Sequence, residues 1–284
     1  MTAKFGPAGN CEDFWNSGHK SSLEIPKWIH ENHLDHYEYQ CGHGVRISKD
    51  AAVLLGENAQ KYQISLSVHA PYYISLSSVE EEKRLRSIDY ILQTLEAAKN
   101  MGAKRIVVHS GSCGKITRKE ALALAKNTLS KAIRAADESG YTDIAICPET
   151  MGKINQLGTL EEVMKLCQLD VRLIPTIDFG HLNARTLGSL KSKEDFTHIF
   201  DTIENMLGKE RAASFHAHYS RIEYTNSGEK KHHIFEETQY GPDFDPIAQI
   251  TAERHLSPTF ICESAGTQTR DAAIMKKIYQ EKLV

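Results

Sequence analysis

The stretch VEEEKRLRSIDYILQTLEAAKNMGAKRIVVHSG (79–111) carries one complete repeat of the fold. Within it Leu85, Ile88, Ile91, Leu92 and Leu95 recur at spacings of three and four, which draws an apolar stripe along one side of a helix. Gly102 closes that helix. RIVVHSG (105–111) then reads as a short buried strand that finishes in a histidine.

The same rhythm runs outward in both directions. Strand candidates are AKFG (3–6), YEYQ (37–40), ISLSVHA (64–70), RIVVHSG, DIAICPET (143–150), RLIPTIDFGH (172–181), AASFHAHY (212–219) and TFICESAG (259–266). Charged, helix-like runs separate them, among them RKEALALAKNTLSKAIRAADESG (118–140). Strands that alternate with helices pair in parallel through right-handed crossovers. Eight of them close a barrel, so the expectation is an α/β protein, a (β/α)8 TIM barrel, with one domain over 1–284. A doubly wound open sheet is the alternative, and it is weakened because no G-x-G-x-x-G follows the first strand.

Bulk properties agree with a soluble enzyme-sized domain. The chain has 284 residues, 40% hydrophobic and 25% charged, with a net charge of −3. That charge argues against a generally basic nucleic-acid binder but leaves room for a local groove of either sign. The six cysteines, at 11, 41, 113, 147, 167 and 262, form no C-x2-C pair, which leaves a zinc finger without support. Cys147 and Cys262 lie in apolar runs and read as buried thiols in a reducing compartment. There is no leader pattern and no long apolar run, so a cytoplasmic protein without a membrane partner is expected.

The chemistry gathers at the ends of the strands. His69, His109, Glu149, Asp178 with His181 behind it, His216 and Glu263 close six successive runs. In a barrel these ends meet on one face, where active sites are built. Any one of them has an ordinary explanation, such as a packed histidine or an aspartate capping the next helix. Together they crowd ionisable groups on one rim, which is costly unless a cation neutralises them. Imidazole and carboxylate donors suit Zn2+, Mn2+ or Fe2+. Seven groups exceed the needs of one ion, so two or three ions are expected, with Glu149 placed to bridge. Clustered ions favour hydrolysis of phosphoesters.

At this point the chain resembles the endonuclease IV family of apurinic/apyrimidinic endonucleases. The matching pieces are SVHAPYYISL (67–76), VVHSG (107–111), CPETMG (147–152), PTIDFGHLNA (175–184), FHAHYS (215–220) and ICESAG (261–266), in order along the whole chain. The resemblance implies a barrel with three zinc ions. His69, His109 and Glu149 would hold one ion. Glu149, Asp178, His216 and Glu263 would share a second, and His181 and His232 would hold a third. Glu149 and Glu263 are the implied catalytic carboxylates. The implied reaction is cleavage 5′ to an abasic site in damaged double-stranded DNA by a hydroxide that the zinc cluster activates. The implied assembly is a monomer. Tyr72 matches the family's DNA-contacting tyrosine, and Arg46, in CGHGVRISKD (41–50), is the candidate to enter the minor groove.

The sequence departs from that pattern in two places. The family's aspartate precedes its third-site histidine by two residues, whereas here Lys230 precedes His232 and Lys231 precedes His233 in this way. Either Glu229 substitutes, or the third ion is weak or absent. A lysine at the position would alternatively supply some of the missing positive charge, and Lys230, Lys231 and Arg221 are candidate phosphate contacts. His218 stands where the family has an amide and reads as a neighbour of the ligands rather than one of them. The competing function is a xylose isomerase-like sugar isomerase or epimerase with one divalent metal on Glu149, Asp178, His216 and Glu263. A third possibility is a binding protein that has kept the fold.

Overall fold

The computed structural model describes residues 2–283. The expected barrel is present, with eight parallel strands: β1 (Lys4–Pro7), β2 (His36–Gln40), β3 (Ser65–His69), β4 (Arg105–Val108), β5 (Ala145–Pro148), β6 (Thr176–Asp178), β7 (His216–Tyr219) and, at the end of the chain, β10 (Thr259–Cys262). The two remaining strands, β8 (Arg221–Thr225) and β9 (Gly228–His233), form an antiparallel hairpin where the sequence suggested only a loop.

Hydrogen bonding divides the barrel into two half-sheets, β1-β10-β7-β6 and β2-β3-β4-β5. The halves meet at two seams, each closed by a single parallel bridge: Ala8 to Glu38 and Glu149 to Thr176. At the first seam β1 approaches β2 so closely that a Cβ on Gly6 would lie 1.8 Å from the carbonyl oxygen of His36. Only glycine fits there.

The helices start where their capping residues say they should. Thr117 and Thr159 each accept from the backbone three residues on, and Glu120 and Glu162 return the bond, which fixes the starts of the helices Arg118–Glu138 and Leu160–Cys167. The helix Glu81–Met101 ends at Gly102 with φ +73°, as the sequence indicates. Its buried side is centred on Ile91, Leu95 and Ala98. Leu85, in the predicted stripe, is exposed; in these first turns Ser87 is the residue turned inward, its Oγ accepting from the backbone N–H of Ser75. Among the described residues no helix is long and apolar enough to cross a membrane. All six cysteines are buried free thiols. Between sheet and helices Phe5 stacks on Phe260 at 5.3 Å and meets Phe244 edge-on.

Replacement of Gly6 by alanine forces β1 away from β2. We expect Gly6→Ala to lower the urea unfolding midpoint by an amount equivalent to about 1–3 kcal/mol or more. An unchanged midpoint would show that the seam yields without cost.

Candidate metal centre

The ends of β3 to β7 and β10 converge above the barrel. His69 is the last residue of β3; His109, Glu149 and Glu263 each follow the last residue of β4, β5 and β10. Glu149 lies at the middle of this set. His69 Nε2 and His109 Nε2 are 3.4 and 3.0 Å from its Oε2, and His218 Nδ1 is 3.0 Å from its Oε1. His181 Nδ1 approaches Oε1 at 3.5 Å.

Asp178 does two jobs. Its Oδ1 accepts from the backbone N–H of His181 at 2.7 Å and so caps the helix Phe179–Arg185. Its Oδ2 faces the site, 3.2 Å from His181 Nδ1. The D-x-x-G-H spacing thus delivers a cap, a carboxylate oxygen and an imidazole from one turn. Gly180 is part of it, because a Cβ there would lie 2.8 Å from the carbonyl of Ser220.

Three groups of donors cover the rim, each with its atoms within 4.8 Å of one another: His69, His109 and Glu149; Glu149, Asp178, His218 and Glu263; and His181, Glu229 and His232; two further groups overlap them, His69 with His218 and Glu263 and, one layer down, Glu38 with His216 and His218. At the rim the structure brings together every sequence-derived ligand candidate except His216. Strand register explains the exception. On β7, His218 is level with Asp178 on β6, whereas His216 pairs with Thr176, one layer lower in the barrel. Both imidazoles are buried, since residues two apart on a strand share a side, but only the upper one reaches the rim. His216 instead binds Glu38 Oε2 at 2.8 Å. Burial, only partly opposed by the bond to Glu38, pushes its pKa down to about 4. The sequence placed His216 at the rim; there the structure sets His218 beside Glu149, Asp178 and Glu263 instead, and groups His216 with Glu38 and His218 one layer down.

The acid of the third group is also settled. Tyr224 pairs with Glu229 and Glu223 with Lys231, so Lys230 is an extra residue on β9, a β-bulge. One inserted residue restores to Glu229 and His232, three apart, the common side that an unbroken strand gives to residues two apart. His181 Nε2 lies 3.4 Å from Glu229 Oε2, and His232 Nε2 lies 3.7 Å from Glu229 Oε1. Gly152 makes the room, because a Cβ on it would lie 2.6 Å from the Cβ of Glu229. Lys230 points the other way and binds Glu223 at 2.6 Å. It supplies no charge to the centre. His233 stacks on Tyr240 at 3.8 Å and binds Glu237, on the far side from Glu229. Arg221 is spent on the carbonyls of Phe235 and Tyr240 and on Asp243, so it too is structural.

Electrostatics tie the carboxylates to the imidazoles around them. Burial pushes the Glu149 carboxyl up, but the charges of His218 and His109 and the hydrogen bonds of His109 and His181 outweigh it and hold the group well below the usual range. Burial, assisted by Glu263 and Glu149, pushes Asp178 up to about 6. Glu229 is held down at about 2: burial raises it, and the bond to His232 and the charge of His181 more than compensate. Glu149 Oε2 and Asp178 Oδ2 are buried without a well-directed hydrogen bond among the described residues. Two orphaned carboxylate oxygens facing imidazole nitrogens are what a divalent ion satisfies, so the residues fit the metals that the sequence implied. Three imidazoles are pre-set for this: Nδ1 of His69 donates to the carbonyl of Ala70, Nδ1 of His181 donates to that of Thr150, and Nδ1 of His232 bonds the Ser220 hydroxyl. Each presents Nε2 to the site.

A cavity of about 870 Å³ opens over the centre, lined by Arg46, Tyr72, His109, Lys153, Glu229 and His232 among others. Tyr72 is 55% exposed, with its ring 5.6 Å from that of His69 and 5.5 Å from that of His109. Glycine at 42 admits the ring, since a Cβ there would lie 2.6 Å from it.

Comparison with known proteins agrees with this architecture. Residues 27–279 match the family described as xylose isomerase-like TIM barrels, and the chain belongs to that family. It is 33% identical over 238 residues, 84% of each chain, to the uncharacterized protein MJ0133 of Methanocaldococcus jannaschii. It is 28% identical to the probable endonuclease 4 of Mycoplasma pneumoniae, over 74% of this chain and 71% of the relative. The crystal structure of a D-tagatose 3-epimerase-like protein superposes with a TM-score of 0.74 at 23% identity, over 99% of this chain and 97% of that one, a likeness of fold.

The bulge separates two neighbouring residues by their effect. Glu229→Gln should lower metal content by about one ion per chain in elemental analysis, because a neutral amide replaces the charged donor of the third group. Lys230→Ala should leave it unchanged. Equal metal content in both variants would overturn the assignment of Glu229.

Proposed function

We propose that this chain is a metal-dependent apurinic/apyrimidinic endonuclease that hydrolyses the phosphodiester 5′ to an abasic site in double-stranded DNA, as part of base excision repair in the cytoplasm. One observation carries the reading: three donor groups on the rim adjoin one cavity and meet at Glu149, whose Oε1 is approached by both His181 and His218. A sugar isomerase needs only the set Glu149, Asp178, His218 and Glu263 and gives no role to the pair His69 and His109 or to the trio His181, Glu229 and His232. Relatives named probable endonuclease 4 support the same choice. The imidazole-rich donors favour zinc.

Divalent ions held there would neutralise charge on a phosphoryl group and acidify water. The protein's own groups supply the rest. Glu149 and Asp178 are shielded from solvent, whereas Glu263 is the most exposed of its group and faces the cavity, where it is placed to hold a proton. Arg46 and Lys153 put two cations on the cavity wall, suited to flanking phosphates. Tyr72 offers a ring face at the gap left by a missing base.

Incubation of the purified chain with a duplex carrying one abasic site tests the reading. Incision on the 5′ side is expected, abolished by a chelator and restored by zinc or manganese. Tyr72→Ala should weaken binding of the abasic duplex about tenfold, within the range of a lost stacking contact. Ketose epimerisation with one ion per chain, and no incision, would transfer the chain to the isomerase class.

A further inference from the structure

Beneath the rim lies a buried carboxylate that none of the above uses. Glu38, on β2, is fully buried inside the barrel at the β1–β2 seam. Its Oε2 accepts from Ser67 Oγ at 2.8 Å and from His216 Nε2 at 2.8 Å. Its Oε1 accepts from Gln40 Nε2 at 3.3 Å and lies 3.0 Å from His218 Nε2. Three donors therefore bond the two oxygens and a fourth nitrogen stands beside them, which suits an ionised carboxylate acting only as an acceptor.

His218 is the exception among the rim imidazoles. His69, His181 and His232 anchor Nδ1 and offer Nε2. In His218 the ring is reversed: Nδ1 faces Glu149 and Glu263 at 3.0 and 3.5 Å, and Nε2 points down the barrel to Glu38. No backbone carbonyl serves it as Ala70 serves His69, and its Nε2 makes no hydrogen bond among the described residues, the 3.0 Å approach to Glu38 not being directed as one. A buried N–H there needs an acceptor, and the carboxylate of Glu38 is the group within reach.

We propose that Glu38 is a positioning residue for the metal centre. By holding a proton on His218 Nε2 it leaves Nδ1 free to face a cation held among Glu149, Asp178 and Glu263, and His216 and Ser67 hold Glu38 in turn. The inference rests on the reading of His218 as a metal ligand, within the function proposed above. Glu38 reaches no cavity-lining substrate position, so it acts through His218 alone.

The test is metal binding by the full chain, with no catalytic readout. Cobalt(II) and zinc affinities are measured by chelator competition, and the cobalt absorption band reports ligand geometry. For wild type, failure to bind either metal tightly would sink the metal-centre reading itself. Given tight binding, Glu38→Gln keeps the volume but removes the charge, and should weaken affinity about tenfold; Glu38→Ala should weaken it nearer a hundredfold, the span seen for groups that orient ligands. The cobalt band should shift in both. Glu38→Asp should recover part of the affinity. Should the alanine variant fail to fold, the glutamine variant decides alone. Wild-type affinity in folded Glu38→Gln overturns the proposal. So does loss of one whole ion with the others bound as before, since Glu38 would then be a ligand in its own right.

Discussion

A carboxylate almost without contact with water, Glu149, has four imidazole nitrogens within 3.5 Å of its oxygens. Burying a charge is tolerable only where opposite charge or strong hydrogen bonds surround it. Glu149 meets that demand in part: His218 bonds Oε1, while His69 and His109 stand close to Oε2 without bonding it and leave that oxygen for a cation. Its own strand end is the bridge that joins β5 to β6. The same residue thus closes the barrel on that side and organises the donors above it.

Glu38 repeats the arrangement one layer down at the opposite seam. It too reaches from one half-sheet into the other, toward His216 and His218 on β7. A TIM-barrel interior is ordinarily filled with branched aliphatic side chains. Here part of it is a ladder of carboxylates and imidazoles, which are directional where aliphatic packing is not. Directional contacts hold ligand rings to tighter tolerances, at the expense of leaving each partner costly to lose.

Much of this was legible in the sequence. Helix periodicity and strand rhythm identify the barrel, because period 3.6 and short apolar runs are local signals. His69, His109, Glu149, Asp178 and Glu263 could be found because each stands at or just past the end of an apolar run. His216 and His218 could not be ranked, since both point inward and only the register against β6 decides which is higher. Glu38 escaped notice because it sits in mid-strand. Its signal was the pattern YEYQ, in which Glu38 and Gln40 share the side that an α/β barrel buries. Glu229 was hidden by spacing, and the spacing became readable only through the pairing of β8 with β9.

That hairpin has an implication for how such centres change over time. Removing Lys230 from the chain would leave Glu-Lys-His, an acid two residues ahead of its histidine, on an unbroken ladder. The donors would stand where they stand now. One codon gained or lost can therefore rewrite the apparent signature of the third donor group while its geometry persists. Ancestry judged by residue spacing alone would count this chain as having discarded an ion that its fold still has the means to hold.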